Sequence, residues 1–186
     1  MDFVSGDREK SAAWAQSLLA RSDWVILDTE TTGLDTDDEI IQVAAVAPDG
    51  TAILDEMVRP TKPIPSEATA IHGIRDEDVE TAPFFPEVFD RLRAAVEGKT
   101  IIIFNAAFDL RMFKQSLGRH RLPGAAVDEF RAECAMLKYS AWHGERWPGG
   151  GYKWQRLPGG DHSAKGDSLA VLLLIRTMAA GTQIHL

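Results

Sequence analysis

The run WVILDTETTGL at residues 24–34 decides how the rest of the chain is read. It opens with four apolar residues and turns abruptly to carboxylates and hydroxyls. A short apolar run ending in a carboxylate reads as a buried strand over residues 24–28. Strand side chains alternate faces, so Asp28 and Glu30, at the end of that strand, point the same way. Two carboxylates on one face repel unless a cation lies between them. For a bare Asp-x-Glu, a solvated strand end is the ordinary explanation. Thr29, Thr31, Thr32, Gly33 and Leu34 alter that weighting. They add hydroxyls, backbone N–H groups and a glycine that lets a ligand come close.

Outward from this run the elements fall into order. Residues 5–21 predict a helix, with Ala12, Ala15, Leu18 and Leu19 at helical spacing and a cap at Ser5 or Gly6-Asp7. Residues 39–47 and 52–58 read as two more strands. Between them stands Pro48-Asp49-Gly50, a turn signal because Pro fixes φ and Gly accepts positive φ. The first three strands therefore form an antiparallel meander. Residues 59–66, with three prolines, read as an extended loop. A helix over 86–97 presents Val88, Phe89, Leu92 and Val96 to one side and stops at Gly98. Residues 100–104 are the most β-rich run. A helix over 106–117 turns Leu110, Phe113 and Leu117 inward and ends at Gly118. A last strand is expected at 126–131, then a helix at 132–142. Residues 145–160 hold seven Gly or Pro residues and read as an irregular loop. The final helix, 163–180, has Ala170, Leu173, Leu174, Thr177 and Met178 on its core face. This order implies α/β architecture, one mixed five-stranded sheet flanked by helices.

Composition agrees with one domain. The chain has 186 residues, 45% hydrophobic and 26% charged, which is globular and not disordered. At this length folding buries roughly 70% of the unfolded surface. One cysteine, Cys134, excludes an internal disulfide framework and any multi-cysteine zinc site. The apolar runs are far too short to span a bilayer, and the first ten residues contain no apolar signal region, so a cytoplasmic location is expected. Lys and Arg number 20 against 28 Asp and Glu, a net charge of −8. That argues against holding nucleic acid by bulk electrostatics. It leaves room for an enzyme whose clustered carboxylates bind cations that meet the phosphates.

Two further groups carry chemistry. Asp109 sits in NAAFD, directly after the strand at 100–104; taken alone it reads first as a first-turn Asp that favours the helix dipole. HSAKGD at 162–167 delivers His162 just before a helix and places Asp167 beside its core face. A carboxylate there is costly unless it is paired or coordinates metal. A nearby His can accept a proton at neutral pH. Oxygen-only ligands suit Mg²⁺ or Mn²⁺ rather than zinc, and two such ions can clamp a phosphodiester.

In sequence, DTETTG at 28–33 resembles the first motif of the DEDDh 3′→5′ exonucleases, which include proofreading subunits of bacterial replicative polymerases, Trex-type nucleases and ribonuclease T. NAAFD at 105–109 resembles the second motif and His162-x4-Asp167 the third. IHGI at 71–74 resembles a further signature of that family. The resemblance spans about residues 24–178 and implies a ribonuclease H-like fold. It implies a single exonuclease domain over 1–186, with a helical extension at 1–22 and a catalytic core at 24–180. It further implies that Asp28 bridges two Mg²⁺ or Mn²⁺ ions. Glu30 and Asp167 would complete the ion that activates water, Asp109 would hold the second, and His162 would act as general base. Thr31, Thr32, Gly33 and Leu34 would meet the terminal nucleotide, with Leu34 wedged against its base; Thr29 and His72 would also bind substrate, and Asn105 would support the substrate strand. The expected substrate is a single-stranded or frayed 3′ end, DNA favoured over RNA, cut to nucleoside 5′-monophosphates. An exoribonuclease and a non-catalytic nucleic-acid-binding module on the same fold are the alternatives. A polymerase partner or a homodimer is compatible with the chain, and the sequence selects neither. One departure stands out: Phe104 precedes Asn105 where the family usually has His.

Other features have plainer readings. The acidic stretch from Asp35 to Glu39 reads as a solvated turn. Arg111, Lys114, Arg119 and Arg121 read as a solvated helix face. Trp142, Trp147, Tyr152 and Trp154 could stack on bases or simply pack the long loop. His120, His143 and His185 carry no usable signal.

Overall fold

The computed structural model describes residues 3–181; His185 and the outermost residues of the expected 1–186 domain lie outside them. Five strands form one sheet: β1 Trp24–Thr31, β2 Ile40–Val46, β3 Ala52–Met57, β4 Thr100–Ile103 and β5 Arg131–Cys134. Their spatial order is β3-β2-β1-β4-β5. β1 pairs antiparallel with β2 and β2 with β3, whereas β1–β4 and β4–β5 are parallel. The ribonuclease H-like mixed sheet and the antiparallel meander are thus both present.

The helices are α1 Phe3–Leu19, α2 Ser66–His72, α3 Asp76–Val79, α4 Phe85–Val96, α5 Ala106–Arg119, α6 Ala135–His143 and α7 Ala164–Ala180, with a 3₁₀ turn at Gly124–Val127. Strand alternation sorts them onto two faces. Val25 and Leu27 of β1 and Ile101 and Ile103 of β4 pack with α4 and α5 through Phe89, Leu92 and Phe113. Trp24, Ile26 and Ile102 face the other way, onto α1, α6 and α7 through Leu18, Tyr139 and Ile175. The Trp24 indole donates to the carbonyls of Leu18 (2.8 Å) and Arg21 (3.1 Å), which ties the end of α1 to the sheet. Among the described residues, no helix is long and apolar enough to cross a membrane.

Several expectations shift. β1 continues to Thr31, so Asp28 and Glu30 lie within the strand rather than at its end; pairing with β2 carries it past the polar switch. α1 begins at Phe3, before the expected caps at Ser5 or Gly6-Asp7, and Leu19 is exposed. The last strand lies at Arg131–Cys134, not 126–131, because parallel pairing with β4 starts at Thr100 and Arg131. The following helix accordingly starts at Ala135. Gly118 does not end α5; the helix runs on to Arg119, whose guanidinium reaches the carbonyl of Asp37. On α7, Leu173 is exposed, and Val171, Leu172 and Ile175 join Ala170, Leu174 and Met178 in the buried set. The proline loop is followed by α2 and α3, too short to leave a periodic pattern. They bury Ile64, Ala68, Ile74 and Val79 against Ile41.

Candidate active site

The alternation that builds the core also builds the site. Trp24, Ile26, Asp28 and Glu30 share one face of β1, so the two carboxylates extend the apolar row that packs on α7. Asp167 lies in the first turn of α7. Carboxylate oxygens of Asp28, Glu30 and Asp167 all lie within 4.8 Å of one another, a group that could hold a metal ion. Thr29 faces the α5 side. Its hydroxyl donates to Oδ1 of Asp109 at 2.8 Å. Asp109, 4% exposed, therefore stands on the other side of the strand, outside the close trio yet near enough for its charge to raise both Asp28 and Glu30.

Without a cation this assembly is electrostatically strained. Burial first, then the charges of Asp109, Glu30 and Asp167, hold Asp28 well above the usual carboxylate range. Burial, then Asp167, Asp109 and Asp161, push Glu30 up to about 8. Burial also raises Asp109, against the opposing hydrogen bond from Thr29. Hard oxygen donors in a repelling group fit a hard divalent cation.

The sign of the resulting pH dependence follows from Glu30. Its carboxyl ordinarily titrates near 4.5 and in the fold near 8. Between those values the folded state binds more protons than the unfolded one. Stability of the cation-free protein should fall as pH rises through that window and level off above it. A cation competes with those protons, so the melting-temperature gain given by Mn²⁺ should grow between pH 6 and 8. Melting with Mn²⁺ and with EDTA across this range tests it; a gain independent of pH counts against cation binding by these carboxylates.

Beside the trio a cleft of about 690 Å³ is lined by Thr29 through Leu34, Ile71, His72 and Phe108. Leu34 is 74% exposed. Its carbonyl accepts from Arg111 (3.1 Å), and that guanidinium stacks 5.2 Å above the Phe108 ring. The three threonine hydroxyls each donate within the fold. Thr29 holds Asp109, Thr31 donates to the carbonyl of Gly33 (2.7 Å), and Thr32 donates to Asp38 (2.9 Å). Gly33 is required by packing, since a Cβ there would collide with the Asp38 carboxylate.

The acidic turn is correspondingly not just solvated. Asp38 and Glu39 are buried; Asp38 accepts from Thr32 and from the backbone of Asp35, and Glu39 from the backbone and hydroxyl of Thr61. The basic face of α5 is partly structural too. Arg119 faces Glu39, and Lys114 pairs with Asp128.

His72 serves its turn, with Nδ1 accepting from the backbone of Ile74 (3.0 Å). Its Nε2 is buried; burial lowers the pKa of the ring, and a hydrogen bond with the Thr31 backbone opposes that. His162 is exposed and lies near enough for its charge to lower His72 further. Asn105 precedes α5 and is exposed, and its side chain does not cap the helix. Phe104 packs at the edge of the apolar cluster under α7 rather than standing free. Trp142, near the end of α6, is core, whereas Trp147 and Trp154 in the long loop are exposed.

The sequence reading missed Phe108, Ile71 and Gln42. The first two lay inside quoted motifs. Gln42 is the lone polar residue of an apolar strand, and that was its signal. It stands opposite Glu30, accepts from the N–H of Ala164 (3.1 Å), and so anchors the start of α7 to the sheet.

Residues 25–140 match the RNase T family, described as exonuclease. That stretch includes Asp28, Glu30 and Asp109 and stops before His162 and Asp167. The chain is 35% identical over 173 residues to the uncharacterized exonuclease CP81 of Escherichia phage 186, covering 86% of this chain and 89% of that protein. It is 39% identical over 121 residues to a DNA polymerase III subunit epsilon-like protein of Rhodobacter capsulatus, covering 61% of this chain and only 17% of that protein. Escherichia coli exonuclease I, solved with a dA16 oligonucleotide, superposes with a TM-score of 0.66 at 16% identity. That overlap takes in 83% of this chain and 40% of that one, and the likeness is one of fold.

Proposed function

The chain belongs to the RNase T exonuclease family and is an exonuclease; we propose that it removes nucleotides one at a time from 3′ ends of single-stranded or frayed DNA, releasing nucleoside 5′-monophosphates. The observation that carries this reading is the group of Asp28, Glu30 and Asp167, drawn from two elements to within 4.8 Å. Asp28, Glu30 and Asp167, with Asp109 behind them, would hold two Mg²⁺ or Mn²⁺ ions. Such ions, when bound, make a water nucleophilic at neutral pH and offset charge on the phosphate. His162 takes the proton of the attacking water, as its exposed position at the start of α7 allows. Asp109 is held by Thr29, so its carboxylate keeps one orientation. Leu34, Phe108 and Ile71 give the terminal base an apolar seat, with His72 beside them in the cleft wall. DNA is favoured because one relative is named for a DNA polymerase subunit and the fold neighbour was solved with a DNA oligonucleotide. A polymerase as partner rests on the first of these alone.

An exposed Leu34 wedge needs an unstacked base. Fraying a paired end costs a few kcal/mol. Single strands should therefore be cut about tenfold or more faster than blunt duplex, since about 1.4 kcal/mol corresponds to tenfold. The test uses 3′- and 5′-labelled DNA and RNA of one sequence, single-stranded and duplex, with Mg²⁺, Mn²⁺ or EDTA. Equal rates on blunt duplex and single strand sink the wedge, faster RNA cutting replaces DNA as substrate, and full activity in EDTA sinks the metal reading.

A further inference from the structure

Asp161 is a charged group beside the cluster to which the roles above give no work. Its Oδ1 accepts from the backbone N–H of Ser163 at 3.0 Å and from the Ser163 hydroxyl at 2.8 Å. An Asp that binds the backbone two residues on closes a tight turn. The same carboxylate lies so close over the first turn of α7 that a Cβ on Gly166 would collide with it. Ser163 in turn accepts from the N–H of Gly166 at 3.1 Å. Between the two anchored residues sits His162, with φ of 60°, in the left-handed region that non-glycine residues seldom occupy. Its N–H and that of Asp161 donate to Oδ1 of Asp167 at 3.1 and 2.9 Å. Gly160 closes the turn, since a Cβ there would stand 2.7 Å from that same oxygen. A left-handed His persists only where its surroundings over-determine it. Here they do so from both sides, through Asp161 and Asp167.

We propose that Asp161 is a positioning residue: its carboxylate braces the 160–166 turn, which holds His162 in its left-handed conformation beside the carboxylates. The proposal rests on His162 being the base. The brace acts through hydrogen-bond acceptance and shape, not through charge. Removing it lets the turn relax to ordinary backbone angles and draws His162 away from the attacking water.

The test compares Asp161→Ala, Asp161→Asn, Gly166→Ala and His162→Ala. Each is measured by steady-state kinetics on a single-stranded oligonucleotide, by Mn²⁺ binding, and by melting. Asp161→Ala should lower kcat about tenfold, the loss expected when the left-handed strain is no longer opposed, with KM and Mn²⁺ affinity within about twofold. Asp161→Asn keeps an Oδ1 acceptor and should stay within about twofold of the parent kcat. Gly166→Ala displaces the carboxylate and should repeat the kcat loss, although alanine within a helix ordinarily stabilises it. If Asp161→Ala does not fold, the Asn and Gly166 variants decide by the same pattern. Asp161→Asn falling as far as Asp161→Ala, or Mn²⁺ affinity weakening in both, would assign the effect to charge and overturn the brace. Parent kcat in Asp161→Ala and Gly166→Ala, with His162→Ala inactive, overturns the brace alone. Retained turnover in His162→Ala overturns the base assignment and the brace with it.

Discussion

Asp28→Asn is expected to reduce exonuclease turnover by about a thousandfold or more while leaving the fold intact. The charges of Asp109, Glu30 and Asp167 all bear on Asp28, and its carboxylate lies within 4.8 Å of those of Glu30 and Asp167. Charge neutralisation by bound metal supplies several kcal/mol of transition-state stabilisation, and about 4 kcal/mol is a thousandfold in rate. The stability effect should run the other way. Burial and three neighbouring carboxylates disfavour the charged form of Asp28. An amide of the same shape removes that repulsion, so the variant should melt higher than the parent in EDTA and lose most of the gain given by Mn²⁺. Turnover assays paired with melting in EDTA and in Mn²⁺ check both halves. Parent-like turnover would remove Asp28 from the site, and a lower melting temperature in EDTA would contradict the electrostatic account.

His162→Ala should lower turnover about 10²–10⁴-fold, the usual contribution of a general base. KM and Mn²⁺ affinity should hardly change, because His162 lies outside the trio of carboxylates. Turnover on a single-stranded oligonucleotide and Mn²⁺ affinity, measured on the same variant, separate this from a structural role: weakened Mn²⁺ binding would mean that the site itself is disturbed, and parent-level turnover would mean that another group is the base.

Much of this site is legible in the sequence. The switch from WVIL to DTET is a local event: strand alternation alone puts Asp28 and Glu30 on one face. The same alternation separates Val25 and Leu27 from Trp24 and Ile26, so the sheet had to be covered on both sides. The turn at Pro48-Asp49-Gly50 and the helix at Phe85–Val96 are likewise decided by residues near in sequence. Such features depend on backbone angles and on a period, and both are written in short windows.

What the sequence could not decide was set by partners far along the chain. Three threonines beside the carboxylates look alike in sequence, yet Thr29 holds Asp109, Thr31 closes on Gly33 and Thr32 binds Asp38. A hydroxyl rotates to whichever acceptor packing brings near, so composition cannot assign it. The last strand settled at Arg131–Cys134 because its partner β4 fixed the register. The acidic turn became partly buried because Thr61, Lys62 and Arg119 arrive from elsewhere to meet Asp38 and Glu39. The sequence by itself determined which carboxylates face together on β1 and that a His and an Asp open the last helix. Only the tertiary structure brought Asp167 to them, because the close approach of α7 to β1 depends on Gln42 anchoring Ala164 and on apolar packing across the whole sheet.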